Sequence, residues 1–551
     1  MAAAISGVAT LDWPSEAGVI LSVAERRDVA IGVTVLSAVL AVLARGAGVG
    51  FGGAALLAPT LLQVLGVLPA SGRTHVHVRE GWILATLAGA LGLLWLLRKP
   101  RGQLLLLPLA AIAIGGPLAR HITAGASLDR PPLVLLTLDT LRADHLSALG
   151  GVGPFAHTLY LDAALARGRV YTRAFASVAL TGPSHASMLS GRGVELHGVR
   201  ANGVRVPDTL PWVPSKLRAT GWSTRAWVSA AVFDAELGFS RGFDGFDSAF
   251  EDRLPRALTF LRWRGYRARA GTATGRSGEA TLAAIDAFPR GSFTWVHLYD
   301  AHWPYTPTEG AARRVGLGSA TPLPNTGLGR LLNPADPRWP SEEVARGKLL
   351  YRAELEDLDR LVGTLLAALP ADASLVIAGD HGESLDEHDY AFSHGRLPFA
   401  PDTRTLLAVI APDLSPGVFD TPVSLAAVAP TLRALAGLPG PRGLLDPLPD
   451  VPITSMSFAA GFPGARTDHP VLGHVAGVAV RTATLHRAWT QWSAQAGYDP
   501  VADPSELVAL PLAEADVQLL EVAADAAAGT PSHAVEPDMN EALEALGYVA
   551  P

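Results

Sequence analysis

LVLLTLDT, residues 133–140, holds a short apolar run that ends on Asp139. Such a run reads as a strand buried in a parallel sheet. An amphipathic stretch, TLYLDAALARG (158–168), comes next, and FTWVHLY (293–299) and SLVIAG (374–379) repeat the strand pattern. Residues 342–369 read as a helix of moderate length. Strands alternating with helical patterns predict an α/β domain built on a mostly parallel central sheet.

Upstream the chain changes character. VAIGVTVLSAVLAVLA (29–44), WILATLAGALGLLWLL (82–97) and LLLLPLAAIAIGGPLA (104–119) contain no charged residue. Each falls slightly short of the roughly 20 residues that span a bilayer, and flanking residues can extend it. They show no polar face at helical period, as an amphipathic soluble helix would. A fourth, weaker segment starts at Phe51 and carries Gln63 and two prolines. The reading is therefore a membrane region over 1–125 with three transmembrane helices, or four if that segment is counted. The basic loop Arg98, Lys99 and Arg101 belongs in the cytoplasm, as do Arg26 and Arg27 ahead of the first span. Three spans satisfy both clusters and place the rest of the chain, beyond the linker HITAGASLDRPP (121–132), outside the cytoplasm. The expected protein is thus a multi-pass membrane protein with an extracytoplasmic domain.

The 551 residues carry a net charge of −7 and no basic block, which argues against nucleic acid as a partner. There are 0 cysteines, so disulfides, thiolate metal sites and thiol nucleophiles are excluded.

Three strand ends finish in acids or histidines: Asp139, then Asp300 with His302, then Asp380 with His381. In a parallel sheet these ends gather on one edge, where ligands bind. One aspartate after a strand is also a good helix cap, so only the group carries weight. Asp139, Asp380 and His381 offer oxygen and imidazole donors, a set that suits zinc or manganese better than calcium. Thr181, in ALTGPSHASM, precedes Pro183 at a helix start. It reads either as a capping residue or as a hydroxyl nucleophile helped by a cation. Free N–H groups in that first turn could bind the oxygens of an anionic ester. His185, His302 and His394 are candidates to hold such an ester or to protonate its leaving group, whereas His388 in SLDEHD reads equally as a surface residue.

At these residues the chain resembles the sulfatase family of the alkaline phosphatase superfamily. In order, the matching segments are LLTLDTLRADHLSALG, ALTGPSHASMLSGR, HGVRANG, GFSRGFDGFD, WVHLYDAHWPYTP and AGDHGESLDEHDYAFSHG. Softer late segments follow: VSLAAVAPTLRALAGLP, GYDPVADPSEL and EALGYV. The resemblance implies an alkaline phosphatase-like sandwich, with a catalytic domain over 126–460 and a C-terminal subdomain of the same fold over 461–551. It implies hydrolysis or transfer of a sulfate or phosphate ester, with Asp139, Asp380, His381 and Thr181 around a divalent metal. Asp300, His302 and His394 would bind the anion, protonate the leaving group or hold a second metal, and Asn202 would contact the substrate; His185, in the first turn after Pro183, either faces the pocket to contact the substrate or completes the turn.

The departures narrow that expectation. Family members with Cys-x-Pro-Ser-Arg, or its serine version, oxidise the first residue to formylglycine. Here the stretch is Thr181-Gly182-Pro183-Ser184-His185, and threonine yields no such aldehyde. Thr140 stands where a second aspartate is usual, and Asp380-His381 where Asp-Asn is usual. These changes are similar to the threonine-nucleophile members: phosphodiesterases, lipoteichoic-acid-synthase-like enzymes and phosphoethanolamine transferases. The expected activity is a membrane-anchored phosphate- or sulfate-ester hydrolase without formylglycine. Its alternatives are a transferase onto an envelope lipid or glycan, and an inactive scaffold that keeps the fold. Oligomeric state is left open.

Overall fold

The run at 133 is a strand, β1 (Leu133–Leu138), and every one of its residues is buried. The structure, a computed structural model, describes residues 129–149, 158–233, 237–248, 275–323, 339–458, 475–490 and 493–528. The apolar segments at 29–44, 82–97 and 104–119, and the weaker one from Phe51, lie outside the described residues. Among those described, no helix is long and apolar enough to cross a membrane.

Seven further strands join β1 in one sheet: β2 (Arg169–Tyr171), β3 (Ser223–Val228), β4 (Gly245–Asp247), β5 (Ser292–Leu298), β6 (Ser374–Gly379), β7 (Leu407–Ile410) and β8 (Gly417–Phe419). Their order is β8-β2-β7-β6-β1-β5-β3-β4. β1 pairs in parallel with both β5 and β6, and β5 with β3. β7 runs against both its neighbours. The sheet is mostly parallel, as the alternation of strands and helices predicts.

Alternate side chains of a strand point to opposite faces, and here both faces are covered. Leu133 and Leu135 enter one core together with Phe293, Trp295, Val376 and Ala378. Val134, Leu136 and Leu138 enter the other with Val296, Leu298, Leu375 and Ile377. Burial on both sides explains why these strands read as unbroken apolar runs. The first core is closed by α2 (Thr181–Ser190) and α5 (Val428–Leu435), through Met188, Leu189 and Leu432. The second is closed by α1 (Leu159–Leu165) and the long α4 (Ser341–Ala368), through Leu161, Leu355 and Leu358. α3 (Gly278–Ala283) sits beside the β3 and β5 ends.

A second, antiparallel sheet of four strands runs β9 (Ile453–Phe458), β10 (Val475–Arg481), β11 (His486–Thr490), β12 (Ser493–Tyr498). It shares a core with α6 (Glu514–Ala528), in which Leu520 and Ala524 meet Val178 and Leu180. Met456 N–H donates to the Ser177 carbonyl at 2.8 Å. The second sheet therefore braces the segment that leads into Thr181.

Candidate active site

Strand order alone brings Asp139 and Asp380 together. Asp139 follows β1 and Asp380 follows β6, its parallel neighbour. The backbone ladder continues past both strands: Asp139 N–H donates to Leu298 O at 2.9 Å and Asp380 N–H to Leu138 O at 3.2 Å. Between the two, Thr140 takes φ +50°, a conformation that a β-branched residue adopts only when its surroundings impose it. Its N–H donates to Asp380 Oδ1 at 3.1 Å, and its carbonyl accepts from Tyr351 at 2.7 Å.

Thr181 is the first residue of α2, and Leu180 occupies the capping position without a side-chain cap. The threonine hydroxyl is therefore not spent on the helix. It donates to Asp139 Oδ2 at 3.2 Å and lies 3.4 Å from His381 Nε2. The expectation of free N–H groups in this turn is corrected at Gly182, whose N–H donates to Asn202 Oδ1 at 2.8 Å. Pro183 has no N–H to offer. Asn202 Nδ2 is buried and has no partner.

The carboxylates share one pattern. Asp380 Oδ1 accepts from Thr140 and from His381 N–H at 2.7 Å, while its Oδ2 is buried with no hydrogen-bond partner. Asp139 Oδ2 accepts from Thr181, while its Oδ1 is buried with none. Burial raises the pKa of both well above the usual carboxylate range; each feels another acid, Asp139 through Glu383 and Asp380 through Asp139. Two acids buried side by side with orphaned oxygens call for a cation. Asp139, Asp380 and His381 each offer a ligand atom within 4.8 Å of the others, the one such group among the described residues. The donors fit a divalent metal that accepts mixed oxygen and nitrogen ligands.

Three imidazoles are oriented alike. A carbonyl can only accept, so His381 donates from Nδ1 to Gly382 O at 2.8 Å and His302 from Nδ1 to Trp303 O at 2.5 Å. That leaves Nε2 of each neutral ring as the basic nitrogen. His394 meets Glu383 Oε1 through Nδ1 at 3.2 Å. The His394 ring centroid is 4.4 Å from that of His381 and 5.0 Å from that of His302. Burial pushes His302 and His394 down to about 3 and lowers His381 as well.

Two candidates have partners outside this group. Asp300 Oδ1 accepts from Gly278 N–H at 2.9 Å at the start of α3, tying the end of β5 to that helix, while its Oδ2 is buried with no hydrogen-bond partner; Asp300 is not grouped with Asp139, Asp380 and His381. His185 is fully buried behind the carboxylates, in edge contact with Phe233 and His297, and its Nδ1 donates to Thr181 O at 2.8 Å. His388 stacks on Phe399 at 3.8 Å.

Two residues escape notice in the sequence. His297, inside β5, places Nε2 3.4 Å from Asp139 Oδ2. Glu383 bridges His394 and Tyr305, whose hydroxyl donates to Oε2 at 2.7 Å. Burial lifts Glu383 to about 7. The signal for both is a polar residue in a fully buried setting, which must find a partner.

The family profile described as Sulfatase matches residues 131–438. The chain is 30% identical over 183 residues to a choline-sulfatase of Rhizobium meliloti (strain 1021), a match covering 31% of this chain and 34% of that protein. It thus spans about a third of that relative's length. Among solved structures, a phosphonate monoester hydrolase of Agrobacterium radiobacter superposes with a TM-score of 0.52 at 18% identity, covering 71% of this chain and 94% of that one. A 2-O GAG sulfatase, BT1596, superposes with a TM-score of 0.50 at 17% identity, covering 71% and 90%.

Proposed function

The chain belongs to the sulfatase family, and from that premise we propose that it is a metal-dependent hydrolase of phosphate or sulfate esters acting through Thr181. One observation carries the reading: the buried, unpartnered oxygens of Asp139 and Asp380, grouped with His381, and the Thr181 hydroxyl 3.2 Å from Asp139 Oδ2. Asp139, Asp380 and His381 would hold a divalent cation, zinc or manganese rather than calcium. When bound, it supplies positive charge that makes the threonine hydroxyl easier to deprotonate and offsets charge on the transferred group.

The side chains do the rest. Thr181 Oγ1 attacks phosphorus or sulfur in line, forming an ester to the protein as the bond to the departing alcohol breaks. The proton that Thr181 releases passes to a neutral ring, His302 or His394, adjacent at 5.0 Å between ring centroids, and from there to that alcohol. Water then attacks the threonine ester and releases the inorganic anion. Asn202 holds Gly182 and thereby the first turn on which Thr181 sits. Threonine at 181 and the absence of cysteine favour an unmodified hydroxyl over formylglycine, and so favour phosphate over sulfate. The apolar segments before residue 125 would anchor this domain to a membrane and hold it outside the cytoplasm, within reach of a lipid or glycan ester.

Thr181→Ala tests the mechanism. Turnover of aryl phosphomonoesters, phosphodiesters and sulfates is expected to vanish with the covalent adduct, at unchanged metal content. Full turnover in a metal-loaded variant would overturn it.

A further inference from the structure

A row of polar groups crosses the otherwise apolar face of the sheet beneath Asp139. Thr137 lies on the same face of β1 as Leu133 and Leu135, directly opposite His297 in the β1–β5 register. Trp295, two residues earlier on β5, shares that face. The three are fully buried, at 0% exposure. Trp295 Nε1 lies 2.9 Å from Thr137 Oγ1 and Thr137 Oγ1 lies 3.0 Å from His297 Nδ1, while His297 Nε2 is buried with no hydrogen-bond partner and lies 3.4 Å from Asp139 Oδ2.

The direction of these contacts follows from what each group can do. An indole N–H only donates, so Thr137 Oγ1 is its acceptor. The threonine proton has one acceptor in contact, His297 Nδ1, and a buried hydroxyl left unused is costly. With Nδ1 accepting, the ring's proton sits on Nε2, facing Asp139. We propose that Trp295, Thr137 and His297 form a one-way relay that presents the His297 Nε2 proton, which has no other partner, to Asp139 Oδ2 and so keeps Oδ1 turned toward the cation.

His297 has a task that Thr181 cannot perform. Both approach Oδ2, but Thr181 gives up its proton when it acts as nucleophile and then no longer donates. His297 is the donor that stays. It is a positioning residue, acting through Asp139, as donors behind metal ligands commonly do. The inference rests on the cation site proposed above.

The test is zinc affinity of the full-length protein in detergent, measured by competition with a chromogenic chelator, with the melting temperature of the metal-free form alongside. His297→Leu removes the donor, and Thr137→Val removes the hydroxyl at nearly constant shape. In both, the dissociation constant is expected to rise roughly 10- to 100-fold, and His297→Gln, which restores an N–H, should recover most of the loss. Wild-type zinc affinity in a folded His297→Leu protein overturns the relay; should that variant not fold, wild-type affinity in Thr137→Val does so. Asp380→Asn separates the two levels. Loss of zinc binding there, with wild-type affinity in the relay variants, sinks the relay alone, whereas undiminished binding there sinks the cation site itself.

Discussion

Two settings of fully buried acids are treated in opposite ways. Beside the second sheet, Glu506 is saturated: Oε1 accepts from Arg481 Nε at 2.8 Å, and Oε2 accepts from Arg481 at 3.0 Å and Ala400 N–H at 2.8 Å. His486 Nδ1 lies 2.8 Å from Oε1, and Arg173 donates to its Nε2 at 2.9 Å. Despite burial, Arg481 and His486 hold the Glu506 carboxyl far below the usual carboxylate range. At the end of the main sheet, Asp139 and Asp380 have no base that neutralises them, and burial drives both the other way. The difference separates an acid that completes the fold from acids that await a ligand.

The widest gap between these regions should open with Asp380→Asn. The new amide keeps an oxygen for the Thr140 and His381 N–H groups while the charge disappears. Turnover should fall roughly 10³-fold, equivalent to about 4 kcal/mol. The melting temperature of the metal-free protein should hold or rise, because one buried, unpaired acid is gone. A large drop in that temperature would show that Asp380 serves the fold as Glu506 does.

Glu506→Ala is the converse. It leaves Arg481, also at 0% exposure, without its counter-ion, and breaking such a pair costs about 3–5 kcal/mol. Metal-free and metal-loaded protein should lose stability equally in urea unfolding. The wild-type pair should also respond to acid. The folded pKa of Glu506 lies below its unfolded value, so its contribution is complete above about pH 4.3. It is lost as pH falls from there toward the folded value. An unfolding midpoint indifferent to acid below pH 4, relative to Glu506→Gln, would contradict the assignment.

How much of this was legible in the sequence follows the same division. β1, β5 and β6 announce themselves because burial on both faces demands continuous apolar runs, and the end of each run exposes Asp139 and Asp380 to view. β7 is four residues, LAVI, antiparallel among parallel neighbours, and no periodicity marks so short an element. Thr181 has two readings until the structure puts Leu180 at the cap position. Asp300 stands at a strand end in the sequence, and one of its oxygens accepts from Gly278, a contact that only helix placement fixes. His297 was hidden for a related reason. A histidine inside a strand looks like a core residue until sheet order sets it opposite Thr137 and next to Asp139.

A third treatment of a buried acid sharpens the contrast. Glu354 on α4 accepts from the Thr306 N–H but faces no base, and burial, with Asp300 and Asp357 nearby, pushes it up to about 8. It belongs to no group with metal-ligand spacing among the described residues. With no counter-charge, the acid keeps its proton near pH 7. The folded protein then binds more protons than the unfolded chain between about pH 4.5 and 8, so stability falls as pH rises through that window, by at most about 1.4 kcal/mol per unit. Glu354→Gln retains an acceptor for Thr306 and has no proton to lose. The variant should flatten that slope and be more stable than wild type at pH 8, with turnover unchanged. A slope as steep as wild type would mean that Glu354 is ionised and paired, in the manner of Glu506.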